Sequence, residues 1–273
     1  MSSSGETPWG LWGRQVFAVL RLEILRAFLG KRAILLYLLA GVGLVPFVVR
    51  LIAVTLNLDD LGTLTNSIQA YAVIWNVLIL RISLYLGSVW VFMNLIRGDI
   101  LDRTLHLYFL APVRRDVLLA AKFVAGLAVT VPTFCAVTVV THVLTYSLHG
   151  EILSTVLLGH LSAYLAATAM ACLGYGALFL LIGMLVRNPI IPALAVAGWE
   201  FLNPFLPALL KKFSVVHYVT SLTPVKPPEG ALAILANPTP WYFSLPGLLL
   251  FTALVLWVGS RRVKRLEISY GGD

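Results

Sequence analysis

Residues 157–185 read LLGHLSAYLAATAMACLGYGALFLLIGML, twenty-nine positions without a single Asp, Glu, Lys or Arg. A helix that crosses the hydrocarbon core of a bilayer needs about 20 mainly apolar residues. The run exceeds that length. It also lacks the strict alternation over about 10 residues that marks a barrel strand. In lipid the backbone must close its hydrogen bonds within a helix or a barrel. The run is therefore expected to be a membrane-spanning helix that tilts or projects beyond the bilayer.

Comparable runs occur at roughly 33–55, 71–95, 118–146, 190–209 and 243–260. The expected fold is an all-α integral membrane protein with six transmembrane helices. Pro189 suits the first turn of the fifth, and Pro204 and Pro207 should kink or stop its far end. Composition agrees: 12% of residues are charged and mean hydropathy is +0.91, where a soluble domain carries about 25% charge. No internal repeat or low-complexity segment is evident, so residues 1–273 are expected to form one membrane domain. Cys135 and Cys172 lie inside hydrophobic runs and have no metal-ligand or disulfide spacing. About thirty mixed residues precede the first long apolar run, which is not the layout of a cleavable signal peptide.

The net charge of +8 raises the question of nucleic acid, and its distribution argues against it. Fifteen Lys and Arg fall on one side of the expected topology: Arg14, Arg21, Arg26, Lys31, Arg32, Arg97, Arg103, Arg114, Arg115, Lys122, Arg187, Arg261, Arg262, Lys264 and Arg265. Three, Lys211, Lys212 and Lys226, fall on the other. By the positive-inside rule both termini are expected in the cytoplasm.

Two cytoplasmic segments stand out. Residues 9–30 read as an interfacial helix anchored by Trp9 and Trp12, with Arg14, Arg21 and Arg32 on one face; a plain lipid anchor explains this as well as any special role. Between the second and third spans, Gly98 should end the second span, and Asp99, Asp102 and Arg103 suit the start of a short helix. Leu105, Leu107, Phe109 and Leu110 are apolar for a cytosolic loop, and Pro112 should stop the helix. A docking surface for another protein fits this pattern, and so does an interfacial loop held by headgroups.

Gly98, Asp102, Thr104, Leu105, Leu110, Pro112, Val113, Arg114 and Lys122 together resemble the cytoplasmic motif of ABC-2 type transporter permeases. Leu22-Glu23-Ile24 is similar to the acidic element of that family's connecting helix, where Arg26 also lies. The resemblance covers almost the whole length. It implies an ATP-driven exporter subunit that pairs with a second permease copy, so that a homodimer is expected. Gly98, Asp99, Asp102, Arg103, Thr104, Leu105, Leu110 and Pro112 would then couple to an ATP-binding partner subunit, and Glu23 and Arg26 would lie on the connecting helix. The membrane would be the bacterial cytoplasmic one, with its lipids the remaining partner. Cargo classes implied are drugs, lipids, glycolipids and ions.

The chain is not expected to be an enzyme by itself. A P-loop needs G-x-x-x-x-G-K-[ST], and Gly30-Lys31 is followed by Arg32, with Leu25 in place of the first glycine. No HExxH occurs. No cofactor or metal is therefore expected in this chain; on the resemblance, ATP and magnesium belong to the partner. A self-contained channel or secondary carrier, or a membrane scaffold without transport, are the alternatives.

Ionisable residues inside spans are costly and need a partner or a wet site. Arg50 lies within snorkelling reach of the external interface. Arg81 is 16 residues from Arg97 and Glu200 is 13 from Arg187, which places them about 24 and 20 Å from the cytoplasmic end. An Arg81–Glu200 ion pair, within or between subunits, is expected there, lining or closing a translocation path or dimer interface; a purely structural pair is the alternative. His142, His160, Asn76 and Asn203 are expected to bond between helices. The segment 210–242 is expected outside, re-entrant in character, with a short helix around Val215–Leu222.

Overall fold

The structure is a computed structural model, and it describes residues 20, 21, 24, 28, 30–57, 60–101, 115–150, 154–186, 188, 190–225 and 240–264. The described residues are helical and include no strand. Helices α1 (Lys31–Val42) and α2 (Val45–Thr55) follow one another with a bend of 47°. Pro46 explains the break: it lacks an N–H, and its ring collides with the carbonyl four residues back. Then come α3 (Leu64–Ile74), a π-helical stretch Trp75–Leu84, and α4 (Tyr85–Leu101). The three are continuous. Next are α5 (Arg115–Tyr146), α6 (Thr155–Leu185), α7 (Ile190–Leu202), α8 (Ala208–Lys211), α9 (Val215–Leu222) and α10 (Trp241–Lys264).

Among the described residues four helices are long and apolar enough to cross a membrane, Leu64–Leu95, Asp116–His149, Thr155–Leu185 and Trp241–Val263, and the bent pair makes a fifth if it counts as one span. This differs from the six expected at one place above all. The run at 190–209 is helical only to Leu202, thirteen residues, or about 20 Å, too short for a core about 30 Å thick. Asn203–Phe205 tightens into a 3₁₀ turn, and Pro207 precedes α8. The second span also differs, since α4 runs through Gly98 to Leu101 rather than ending at the glycine.

Packing centres on α6, which lies against α4, α5, α9 and α10. Phe92 of α4 is fully buried. It fills the space left by two glycines, since a Cβ at Gly126 or Gly176 would run into its ring. Small residues at such crossings let membrane helices approach closely. At Gly183 the approach is backbone to backbone: a Cβ there would lie 3.1 Å from Cα of Met93 and 3.3 Å from its carbonyl oxygen. Between α5 and α6, the Thr138 and Thr168 hydroxyls share a hydrogen bond of 3.1 Å.

Side-chain clasps hold the two ends. At one, Arg50 Nη2 donates to the Leu61 carbonyl (3.2 Å) and Ser67 Oγ (2.9 Å), and Ser67 Oγ also pairs with His149 Nε2 at 2.9 Å. This joins the ends of α2, α3 and α5, a tighter role than snorkelling. At the other, Lys122, only 2% exposed, donates to the Leu95 carbonyl at 2.6 Å, and Ser260 Oγ donates to Asp116 at 3.0 Å.

Because Gly183 faces unmovable backbone, Gly183→Val should destabilise the purified protein by about 1–3 kcal/mol through overpacking. Gly159→Val, at a position with nothing within 4 Å of a Cβ, should cost far less. Thermal unfolding in detergent compares them, and equal melting temperatures would refute the close contact.

Candidate functional site

The chain between α7 and α9 turns back on itself inside the bundle. In water a broken helix is solvated at both ends; in hydrocarbon its last carbonyls and first amides need other partners. Two charged residues supply them.

Glu200, 3% exposed, sits near the end of α7 and serves the start of α9. Ser214 Oγ donates to Oε2 at 2.5 Å, Val215 N to Oε1 at 3.0 Å and Val216 N to Oε2 at 3.2 Å. The Ser214 hydroxyl also accepts from His217 N at 3.4 Å, an N-cap. A carboxylate at a helix N-terminus meets both free amides and the positive end of the dipole. Helix α9 in turn is inserted among the others: Val215, Val216 and Val219 are buried, and Gly174 of α6 and Gly247 of α10 lie against Val215 and Tyr218. The short helix expected at Val215–Leu222 is present, packed within the bundle.

Arg81 serves the opposite terminus. Its Nη1 donates to the carbonyls of Glu200 (3.1 Å) and Phe201 (3.5 Å), two of the last carbonyls of α7. Its Nε donates to Asn76 Oδ1 at 3.1 Å. That second contact depends on local backbone. Asn76 and Arg81 are five residues apart, and the i→i+5 bonding of the π-helical stretch sets residues at that spacing one turn apart. Next along the same face, Tyr85 donates to the Ala193 carbonyl at 2.6 Å, and its ring meets Tyr175 (5.2 Å between centroids) and Phe179 (5.1 Å) edge-on.

Arg81 and Glu200 are thus brought together, as their matching depths suggest, but not as the expected side-chain ion pair. The guanidinium takes the backbone of Glu200, while the carboxylate points its hydrogen bonds at α9. Both orphaned ends explain why: each charge has a matching helix terminus closer than the other charge. Ser214, Tyr85 and Tyr175 were not expected in the site, because hydroxyls within apolar runs carry no pattern that distinguishes them.

Of the expected coupling residues, Gly98 and Asp99 fall in the last turn of α4, with Gly98 buried. Asp102, Arg103, Thr104, Leu105, Leu110 and Pro112 lie outside the described residues, as do Glu23 and Arg26. His142 does not bond between helices as expected: both ring nitrogens lack a hydrogen-bond partner, and the ring packs against Tyr71 and Tyr146 at 5.8 and 4.6 Å. Among the described residues no group of three His, Cys, Asp or Glu is placed to hold a metal ion. Comparison with models of known protein families gives no match, and neither does comparison with curated protein sequences.

Glu200→Ala leaves a hydroxyl and two amides facing no acceptor and should destabilise the protein by about 1–3 kcal/mol for each group that stays buried and unpaired. Glu200→Gln, which keeps one acceptor oxygen, should cost less. Exchanging the charges, Arg81→Glu with Glu200→Arg, should rescue nothing, since a carboxylate at position 81 would face carbonyl oxygens. Thermal melts of the three variants test this, and recovery in the exchanged protein would restore the ion-pair reading.

Proposed function

We propose that this chain is the membrane-spanning permease subunit of an ATP-driven ABC-2 type exporter, working with a separate ATP-binding subunit. The observation that carries the reading is the stretch 98–122, whose residues resemble the cytoplasmic coupling motif of that family. Its flanks support it. Helix α4 is described as far as Leu101 and α5 from Arg115, and Lys122 ties α5 to the Leu95 carbonyl of α4. Force applied to the chain between them reaches two of the longest helices directly.

On this reading the coupling helix expected at 99–110 follows from α4, which takes in Asp99–Leu101, and 9–30 is the connecting helix, both on the cytoplasmic face with the two termini. Helices α1–α2, α3–α4, α5, α6 and α10 span the bacterial cytoplasmic membrane, and α7 with α9 completes a sixth element that enters and turns back within it. A second copy forms a homodimer, and ATP and magnesium are bound by the partner. Two charges, each on one end of a broken helix, are in keeping with a transporter, where non-helical backbone at membrane depth is held by protein or lines a cavity. The cargo stands among amphipathic drugs, lipids, glycolipids and ions.

Affinity purification of the tagged chain from native membranes should bring down a P-loop ATPase. Scrambling residues 99–110 should remove that ATPase from the eluate while leaving the membrane bundle folded. If no P-loop ATPase accompanies the unaltered chain, or if the scrambled chain retains it, the coupling assignment is wrong.

A further inference from the structure

Helix α10 is the least enclosed of the four long spans, with 28% of its apolar stretch buried against 44% or more in the others. Leu250, Leu254 and Trp257 are 70%, 58% and 56% exposed, and Arg261 and Arg262 are exposed just beyond them. Positions 250, 254, 257 and 261 recur at the spacing of one helical face. That face is an apolar stripe that ends in a cation. At the other end of α10, Trp241, Tyr242 and Phe243 are exposed too. Trp241 and Trp257 lie 16 residues apart, about 24 Å along the axis. They therefore reach the two interfaces of a hydrocarbon core about 30 Å thick, where amphipathic rings gather.

Arg261 does not extend past the helix end toward water, the usual course of a terminal arginine. Its Cζ lies 4.2 Å from the centroid of the Trp257 ring. Helical side chains lean toward the N-terminus, and the ring one turn back holds the guanidinium by cation–π attraction. The charge is thus kept at the level of the interfacial tryptophan. The ring face leaves the N–H groups without an acceptor, and Arg261 has no hydrogen-bond or ion-pair partner among the described residues. Asp116, the carboxylate that touches this end of α10, accepts from the neighbouring Ser260 at 3.0 Å.

We propose that the Trp257–Arg261 end of α10 binds an anionic phospholipid, with an acyl chain along Leu250 and Leu254 and the phosphate on the Arg261 guanidinium. The planar fork of arginine suits phosphate oxygens, and hydrogen bonds to an ionised group are the strong ones. Trp257 fixes the fork in advance at headgroup depth. A zwitterionic headgroup carries its own ammonium, which the adjacent Arg262 would repel; an anionic headgroup brings no such cation. The inference rests on α10 crossing the bilayer and not on the ATPase assignment, so either can fail without the other.

The test uses the purified full chain in neutral detergent with phosphatidylglycerol or phosphatidylcholine added to the micelles, and measures retained lipid by native mass spectrometry. Wild type should retain phosphatidylglycerol in preference to phosphatidylcholine. Arg261→Gln should weaken that binding about tenfold or more, as loss of hydrogen bonds to a charged group predicts. Trp257→Leu keeps an apolar side chain and every charge, and should weaken it about two- to fivefold, the share of an exposed cation–π contact. Arg262→Gln removes the same charge one position away and should cost less than Arg261→Gln. Without added lipid all three variants should melt like wild type, because the altered side chains are exposed. Equal losses in Arg261→Gln and Arg262→Gln would mark general charge attraction and overturn the site. So would a wild type without preference for phosphatidylglycerol, or a Trp257→Leu variant that binds as tightly as wild type.

Discussion

A helix that stops inside hydrocarbon leaves up to four carbonyls at its end, and the next helix begins with up to four amides; neither set has water to turn to. The chain from Ile190 to Leu222 accepts this constraint and answers it with two opposite charges, each at the helix end it complements. The guanidinium of Arg81 lies on the carbonyl end of α7, where the dipole is negative, and the Glu200 carboxylate lies on the amide end of α9, where it is positive. Each charge alone would be costly at this depth, and each broken end alone would be too. Together they hold one another in place, and the position of α9 against α6 and α10 follows from them.

The long spans were legible because length and apolarity are themselves what the bilayer demands. The runs read at 118–146, 157–185 and 243–260 differ by only a few residues from α5, α6 and α10. The breaks were harder. Pro46 was available as a signal for the bend between α1 and α2, but the apolar run continues straight through it. At 190–209, Phe205, Leu206, Leu209 and Leu210 extend the hydrophobic count past the point where Asn203 and Pro204 end the helix. Hydropathy measures what a segment can be buried in, not whether its hydrogen bonds continue.

The site was half legible for a related reason. Counting residues from the basic ends brought Arg81 and Glu200 to one level, and they do meet there. Counting cannot say which atoms face each other, and it favoured the two opposite charges over the helix ends between them. The π-helical stretch that pairs Asn76 with Arg81 has no compositional signature, since WNVLILRISL reads like any apolar turn. Tyr85 lies in an apolar run where nothing marks it out; its ring packs against Tyr175 and Phe179, and only its hydroxyl carries a polar role, on the Ala193 carbonyl.

The contact of Gly183 with the Met93 backbone has a mechanical consequence. Two backbones in direct touch have no side chain between them to yield, so the spacing of α4 and α6 is fixed at this crossing, and neither helix can slide past the other there without a shift of main chain.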